Sequence, residues 1–162
     1  MLKILGSLLI IISGTLSGQK ICESLKQRIY FLEDFESFVF YARNEIEYKR
    51  SYPTEILFNF KPKSDLKKFF KKCITLIQNG ENFPGSWEKT FNLCKFDVDN
   101  IVLNFGKNLG THNLKNEIEL CNLTINSLNF HIDKLRKYIT NQGKVFIVFG
   151  TCIGIIIAIL IV

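Results

Sequence analysis

Hydrophobic positions recur at steps of three and four along most of the chain. From Lys20 to Arg50 there is neither Pro nor Gly. Ile21, Leu25, Ile29, Leu32, Phe35, Val39, Ala42 and Ile46 there fall on one face of a long amphipathic helix. Ser51-Tyr52-Pro53-Thr54-Glu55 reads as a second helix start, because the first turn has no use for the N–H that Pro lacks. Ile56, Leu57 and Phe60 give this short helix its apolar face, and Lys61-Pro62-Lys63 ends it. Ser64 is the expected cap of a third helix, with Asp65 in its first turn. Leu66, Phe69, Phe70, Cys73, Ile74 and Ile77 form its stripe, and Gly80 can close it. Pro84-Gly85 predicts a turn, after which Ser86 caps a short helix carrying Trp87 and Phe91. Asp97 or Asp99 starts a fifth helix, with Ile101, Val102, Phe105 and Leu109 on its apolar face. The last helix has the cleanest period. Ile118, Cys121, Ile125, Leu128, Ile132, Leu135 and Ile139 alternate steps of three and four, which puts all seven on one seam. Such a seam suits a long packing partner or self-association into a homo-oligomer. Six helices and no convincing strand predict an all-α fold.

The two ends differ from this pattern. Residues 4–21 are mostly apolar or small, with Lys3 before them, and residues 145–162 carry no charge at all. Both are read as membrane-crossing helices, the first short for a full span unless Gln19 and Lys20 snorkel. The first could instead be a cleaved leader, with Ser13, Gly14, Thr15, Ser17 and Gly18 near the cleavage site. Basic residues on the middle side of both runs decide for anchors. Lys20, Lys26, Arg28, Lys134, Arg136, Lys137 and Lys144 concentrate there, which by the positive-inside rule places the helical domain, 22–143, in the cytosol. The same residues suit anionic lipid headgroups, so membrane lipid is an expected partner. The alternative is a secreted or membrane-tethered helical interaction domain.

Composition adds limits. The chain has 162 residues, so roughly 125 remain between the apolar ends, enough for one core. With 47% hydrophobic residues, 15 Phe and only 3 Pro, it suits a packed helical domain rather than disorder. The net charge of +6 comes without a compact basic-aromatic motif, so no nucleic-acid partner is expected. Cys22, Cys73, Cys94, Cys121 and Cys152 show no paired spacing and read as core or lipid-facing thiols of a reducing compartment.

Candidate chemistry is sparse. His112 and His131 have no Cys or acidic neighbour at ligand spacing, so no metal or other cofactor is expected. Asp97 and Asp99 read as helix-capping groups, and Glu45-Ile46-Glu47 as a solvated helix face. Gly106-Lys107-Asn108-Leu109-Gly110 follows a helix and lacks a phosphate-loop pattern, so it reads as a helix end and a tight turn. Trp87 reads as a core anchor. Nothing assembles a nucleophile, a base and an oxyanion site, and neither apolar run has the central charge a lipid-modifying enzyme would need. No enzymatic activity is expected.

Several features taken in order carry a family resemblance. The chain opens Met1-Leu2-Lys3-Ile4-Leu5-Gly6 and runs straight into an apolar segment. Glu45-Ile46-x-Tyr48 precedes Pro53, and Gly80-Glu81 is followed by Trp87. Then come Phe105-Gly106-x-x-Leu109-Gly110-x-His112, a long helix and a bare apolar tail. This resembles stage III sporulation protein AB of endospore-forming bacteria over essentially the whole chain. Asn113 and Lys49 stand where that family usually carries Asp and Gly. The resemblance implies a fold like the cytosolic domain of the F-type inner-membrane platform protein of type II secretion, an antiparallel six-helix bundle. It further implies a scaffold role in a secretion-like channel complex of the mother-cell membrane around the forespore. Expected partners are the other subunits of that complex, including a secretion-type ATPase.

Helix arithmetic then suggests a docking surface. The first and last soluble helices each have about thirty residues, or roughly 45 Å at 1.5 Å per residue. If both leave one membrane face, their far ends meet. That places Glu45, Tyr48 and Pro53 beside Gly110, His112 and Asn113, as a candidate surface for a cytosolic partner.

Overall fold

A computed structural model describes residues 2–94 and 100–161. Side chains are described for all of these except 2–5, 7–11, 143, 144, 146, 147, 154, 158, 160 and 161. Asp97, Asp99 and the side chain of Lys144 lie outside the described residues.

Among the described residues every regular element is helical: α1 Leu2–Asn44, α2 Pro53–Asn59, α3 Leu66–Gln78, α4 Phe83–Cys94, α5 Asn100–Asn108 and α6 Leu114–Ile161. A π-helical turn, Glu45–Lys49, extends α1. The chain forms two units, residues 30–132 and residues 1–29 with 133–162.

The unit 30–132 is organised by aromatic rings. Phe35 and Phe38 of α1, Phe69 of α3, Trp87 of α4 and Phe105 of α5 are all essentially fully buried. Trp87 meets Phe69 edge-on at a ring-centroid distance of 4.8 Å and stacks nearly parallel to Phe38 at 6.1 Å. Its indole N–H donates to the Val102 carbonyl at 2.9 Å, so the ring is buried without leaving its polar atom unpaired. Gly106 lies under the indole: a Cβ there would sit 2.2 Å from Trp87 Cδ2. The glycine is therefore part of the packing of α4 on α5 and not only a helix end.

Side-chain caps set the remaining boundaries. Asp34 of α1 accepts hydrogen bonds from the Lys63 and Ser64 amides and the Ser64 hydroxyl, holding the start of α3 against α1. Ser64 Oγ accepts in turn from Leu66 N, as its capping role predicts. Pro84-Gly85 is not a turn. It lies in the first turn of α4, where Pro is tolerated, and the cap is Asn82, whose Oδ1 accepts from Gly85 N. Ser86, expected to cap α4, is buried inside it. Gly80 follows α3 with φ +93°, as a closing glycine should.

The seam of α6 is rotated from the apolar reading. Cys121, Leu128 and Ile132 are buried, whereas Ile118, Ile125, Leu135 and Ile139 are only half-buried. Glu117 and Thr124 take buried places instead. Thr124 does so by returning its hydroxyl to the Leu120 carbonyl at 2.7 Å.

In the other unit α1 and α6 approach through small residues. A Cβ on Gly150 would meet the Gly14 carbonyl oxygen at 2.4 Å and the Gly18 amide nitrogen at 3.5 Å. Thr15 and Thr151 share a hydrogen bond at 3.2 Å. The Gly14-x-x-x-Gly18 spacing that permits this leaves no mark on the hydrophobic pattern. Larger apolar side chains face outward: Ile12, Leu16, Ile21, Val148, Phe149 and Ile159 are exposed. The expectation for residues 4–21 and 145–162 is that they cross a membrane. Among the described residues, no helix is long and apolar enough to do so. Polar and small residues from Ser13 to Lys20 dilute the first run, and much of the second falls on side chains outside the description.

Replacing Gly106 by Ala should destabilise the protein by about 2–3 kcal/mol, because the methyl group must displace the indole or part α4 from α5. Gly80→Ala, which has open space but a positive φ, should cost only about 1 kcal/mol. Denaturant unfolding of the two variants checks the order.

Candidate functional site

The turn after α1 and the turn before α6 meet. Three features of the backbone bring this about. The π-helical turn Glu45–Lys49 widens the end of α1, with Ser51 N donating to the Glu45 carbonyl at 3.3 Å. Arg50 then adopts φ 55°, ψ 35°, the only non-glycine with positive φ among the described residues. This left-handed residue reverses the chain into Pro53, which opens α2 as expected. Across from it Gly110, φ +84°, abuts the proline: a Cβ there would lie 2.5 Å from Pro53 Cγ.

Glu117 secures the second turn. Its Oε1 accepts from the Gly110 amide at 2.9 Å and the His112 amide at 2.8 Å. The side chain is 4% exposed, and Oε2 is buried without a hydrogen-bond partner. An unsatisfied buried acceptor costs about 1–3 kcal/mol, more when charged. Asn113 caps α6 by accepting from Asn116 N at 3.0 Å. Between the turns is an open cavity of 310 Å³ lined by Ile46, Arg50, Ser51, Tyr52, Pro53, Gly110, His112, Leu114 and Glu117.

Of the six residues proposed from sequence, Pro53, Gly110 and His112 line this cavity. Glu45 stands behind it. Its carboxylate accepts from Lys49 Nζ at 2.7 Å and from Ser51 Oγ at 3.1 Å. It is buried, so the reading of Glu45-Ile46-Glu47 as a solvated face is wrong for its first member. Glu45 falls three residues after Ala42 and seven after Phe38 on the buried face of α1, where a search for apolar residues passes over a carboxylate. Tyr48 is 79% exposed and lies outside the cavity, as does Asn113. Sequence reasoning missed Ile46, Arg50, Ser51, Tyr52, Leu114 and Glu117 as lining residues. Glu117 carried a signal: it precedes Cys121, Thr124 and Leu128 on the buried helical period, where a carboxylate needs a reason.

The hydrogen bond from Lys49 holds the Glu45 carboxyl below the usual glutamate range, with Ser51 adding to it against the opposing effect of burial. Tyr41 is pushed up, by burial first and then by the Glu45 charge.

The other expected residues fall elsewhere. Lys20, Lys26, Lys134 and Lys137 are exposed and Arg28 half-buried, while Arg136 reaches Asp133 at 3.6 Å. All belong to the unit formed by the two ends of the chain. A second open cavity, of 440 Å³, is lined by Asp65, Lys68, Lys71, Lys72, Leu93 and Cys94. Among the described residues, none of the five cysteines forms a disulfide. Burial pushes the Cys73 and Cys121 thiols up to about 12, which leaves them unreactive. Among the described residues no group of three His, Cys, Asp or Glu could hold a metal ion.

The glycine-to-proline contact joins Pro53 to the Gly110-x-His112 turn, the residues that carried the resemblance. The model of the stage III sporulation protein AB family matches residues 3–162. The chain belongs to that family. No curated protein and no solved structure matches it. As a stage III sporulation protein AB family member, the chain has a role in sporulation.

Arg50→Gly should stabilise the domain by about 1 kcal/mol, since glycine adopts the left-handed conformation without a Cβ clash. Chemical denaturation measures it. Glu45, with its folded pKa lowered, contributes stability that is fully present above the ordinary glutamate pKa and is lost as pH falls through the folded value. Glu45→Gln should therefore flatten the fall in melting temperature below about pH 4.5, relative to the unaltered chain.

Proposed function

We propose that the protein is a non-enzymatic assembly component of a secretion-like channel complex of the mother-cell membrane around the forespore. Its helices act as a docking bundle, with the antiparallel six-helix arrangement of the F-type platform proteins. The surface around Pro53, Gly110 and His112 receives a cytosolic subunit, of which a secretion-type ATPase is the first candidate. The observation that carries this reading is the convergence of two distant turns on one open cavity, flanked by the exposed aromatic rings of Tyr48 and Tyr52. Exposed aromatic side chains on a preorganised surface are typical anchors for protein partners.

Membrane attachment is part of the same proposal, with the domain cytosolic and the runs 4–21 and 145–162 in contact with lipid. Support comes from the outward-facing Ile, Leu, Phe and Val side chains of these runs, more than a soluble surface normally leaves uncovered. The approach through Gly14, Gly18 and Gly150, with the Thr15–Thr151 hydrogen bond, is the kind of contact that packs helices in lipid. The lysines beside the runs suit anionic headgroups.

Tyr48→Ala and His112→Ala test the docking surface. Both side chains are exposed, so helicity and melting temperature should change little. Recovery of the ATPase and other complex subunits with the tagged chain from sporulating cells should fall severalfold, and spore yield with it. Undiminished recovery with both variants would refute the docking surface.

A further inference from the structure

We infer that the open cavity beside α3 is a docking site for an acidic amphipathic helix of a partner protein, one that carries carboxylates a turn apart and an apolar residue next to them. The inference goes beyond the surface around Pro53, since this cavity is formed by α3 and the end of α4.

Lys61, Lys63, Lys67, Lys68, Lys71 and Lys72 fall within residues 61–72, and all are exposed. Three lysines elsewhere in the helical unit each meet a glutamate. Lys49 reaches Glu45 at 2.7 Å, Lys89 reaches Glu81 at 2.6 Å and Lys107 reaches Glu88 at 2.8 Å. At the cavity the balance is different. Asp65 is the one acid of the lining, and Lys68 takes it at 2.9 Å. Among the described residues no carboxylate pairs with Lys67, Lys71 or Lys72. Lys67 with Lys71, and Lys68 with Lys72, stand at the spacing at which like charges destabilise a helix. The surface therefore carries uncompensated positive charge around a concave volume of 440 Å³, and an anionic occupant is the one that relieves it.

The arrangement of the charge selects the anion. The lysines are set along α3 in two rows with a repeat of about 6 Å. A second helix carrying carboxylates four residues apart has the same repeat, so each carboxylate can meet an ammonium group of its own. A phosphate concentrates its charge at one point and is best held by the fork of an arginine, and no arginine lines the cavity. Leu93, 66% exposed, lines the cavity beside Cys94 and offers apolar surface on which the docking helix can seat one side chain. A concave wall with an apolar patch suits such a helix rather than the plane of a lipid surface.

The full chain, isotope-labelled and held in zwitterionic detergent micelles, is titrated with a helical peptide of about fifteen residues that has Glu at every fourth position and Leu beside them. The control peptide has Gln for each Glu. The backbone amides of α3 and of Leu93 report binding. Saturable shifts are expected with the acidic peptide, at least about tenfold weaker binding with the neutral one, and a loss of affinity as salt is raised. Lys71→Gln combined with Lys72→Gln should weaken the acidic peptide by about fivefold. Lys115→Glu changes the net charge by the same amount at an exposed position on α6, and should weaken it less than about twofold. Unchanged amide positions elsewhere establish that each variant is folded. Equal binding of the two peptides, or an equal loss from Lys115→Glu, overturns the inference. So does binding that is seen only after Asp97→Asn and Asp99→Asn, because the chain's own acids would then be the occupants. Phosphatidylglycerol added to the micelles is the last arm. If it shifts the α3 amides and the acidic peptide does not, the lysines meet lipid and the inference falls.

Discussion

The packing of Trp87 against Gly106 is the contact on which the helical unit depends. The indole is the largest fully buried side chain, and it is reached by rings from two other helices, Phe35 and Phe38 of α1 and Phe69 and Phe70 of α3. It can occupy the centre for two reasons. Its one polar atom is satisfied by the Val102 carbonyl, and the helix beneath it presents no side chain at Gly106. Both partners lie on α5, within four residues of one another. Moving α5 by a small distance would therefore break the hydrogen bond and the close contact together. The position of α5 sets where its C-terminal turn falls, and that turn contains Gly110 and leads to His112. A core constraint thus fixes one half of the candidate site.

The other half is fixed by local chemistry. The π-helical turn and the left-handed Arg50 redirect the chain by a route that no regular helix offers. Pro53 then meets Gly110, a position where any side chain would collide with the ring. Glu117 closes the arrangement from α6 by holding two amides with one oxygen. The cavity is the space left when these three restraints are met at once.

This division explains what was legible in the sequence. The six helices, their order and most of the core follow from periodicity, because burial of an apolar stripe contributes most to the stability of each of them. Trp87 as a core anchor, Pro53 as a helix start and Gly80 as a helix end follow from residue chemistry. The errors share a different cause. Pro84-Gly85 reads as a turn because Pro and Gly usually punctuate, yet Asn82 supplies a cap that lets both enter the helix. Glu117 and Thr124 escape an apolar search because they are polar, although Thr124 bonds back to its own helix and Glu117 holds two amides with one oxygen on the buried face. Glu45 escapes for the same reason: it continues the buried period of Phe38 and Ala42, but as a carboxylate paired with Lys49 and Ser51. The meeting of the 45–53 and 110–113 segments was legible from the equal lengths of two helices, but the cavity was not, because its lining is set by backbone conformations that leave no periodic trace.

The strained backbone of this structure is not spread evenly. A π-helical turn, the one left-handed non-glycine among the described residues and a buried carboxylate oxygen without a donor all occur within the segments that line or back a single cavity. Each carries a local cost of about 1–3 kcal/mol that simple substitutions could remove: a glycine for Arg50, or an uncharged residue for Glu117. Elsewhere in the helical unit the caps at Asp34, Ser64 and Asn82 are paired, while Arg43 Nε and Ser86 Oγ are also buried without a partner. The strained backbone, unlike the unpaired polar atoms, is concentrated beside one surface cavity, and strain that a simple substitution could relieve is kept for a reason outside the fold's own stability. A surface that receives a partner would be one such reason. The strained backbone would meanwhile keep the receiving surface in place before the partner arrives, lowering the entropy lost on docking.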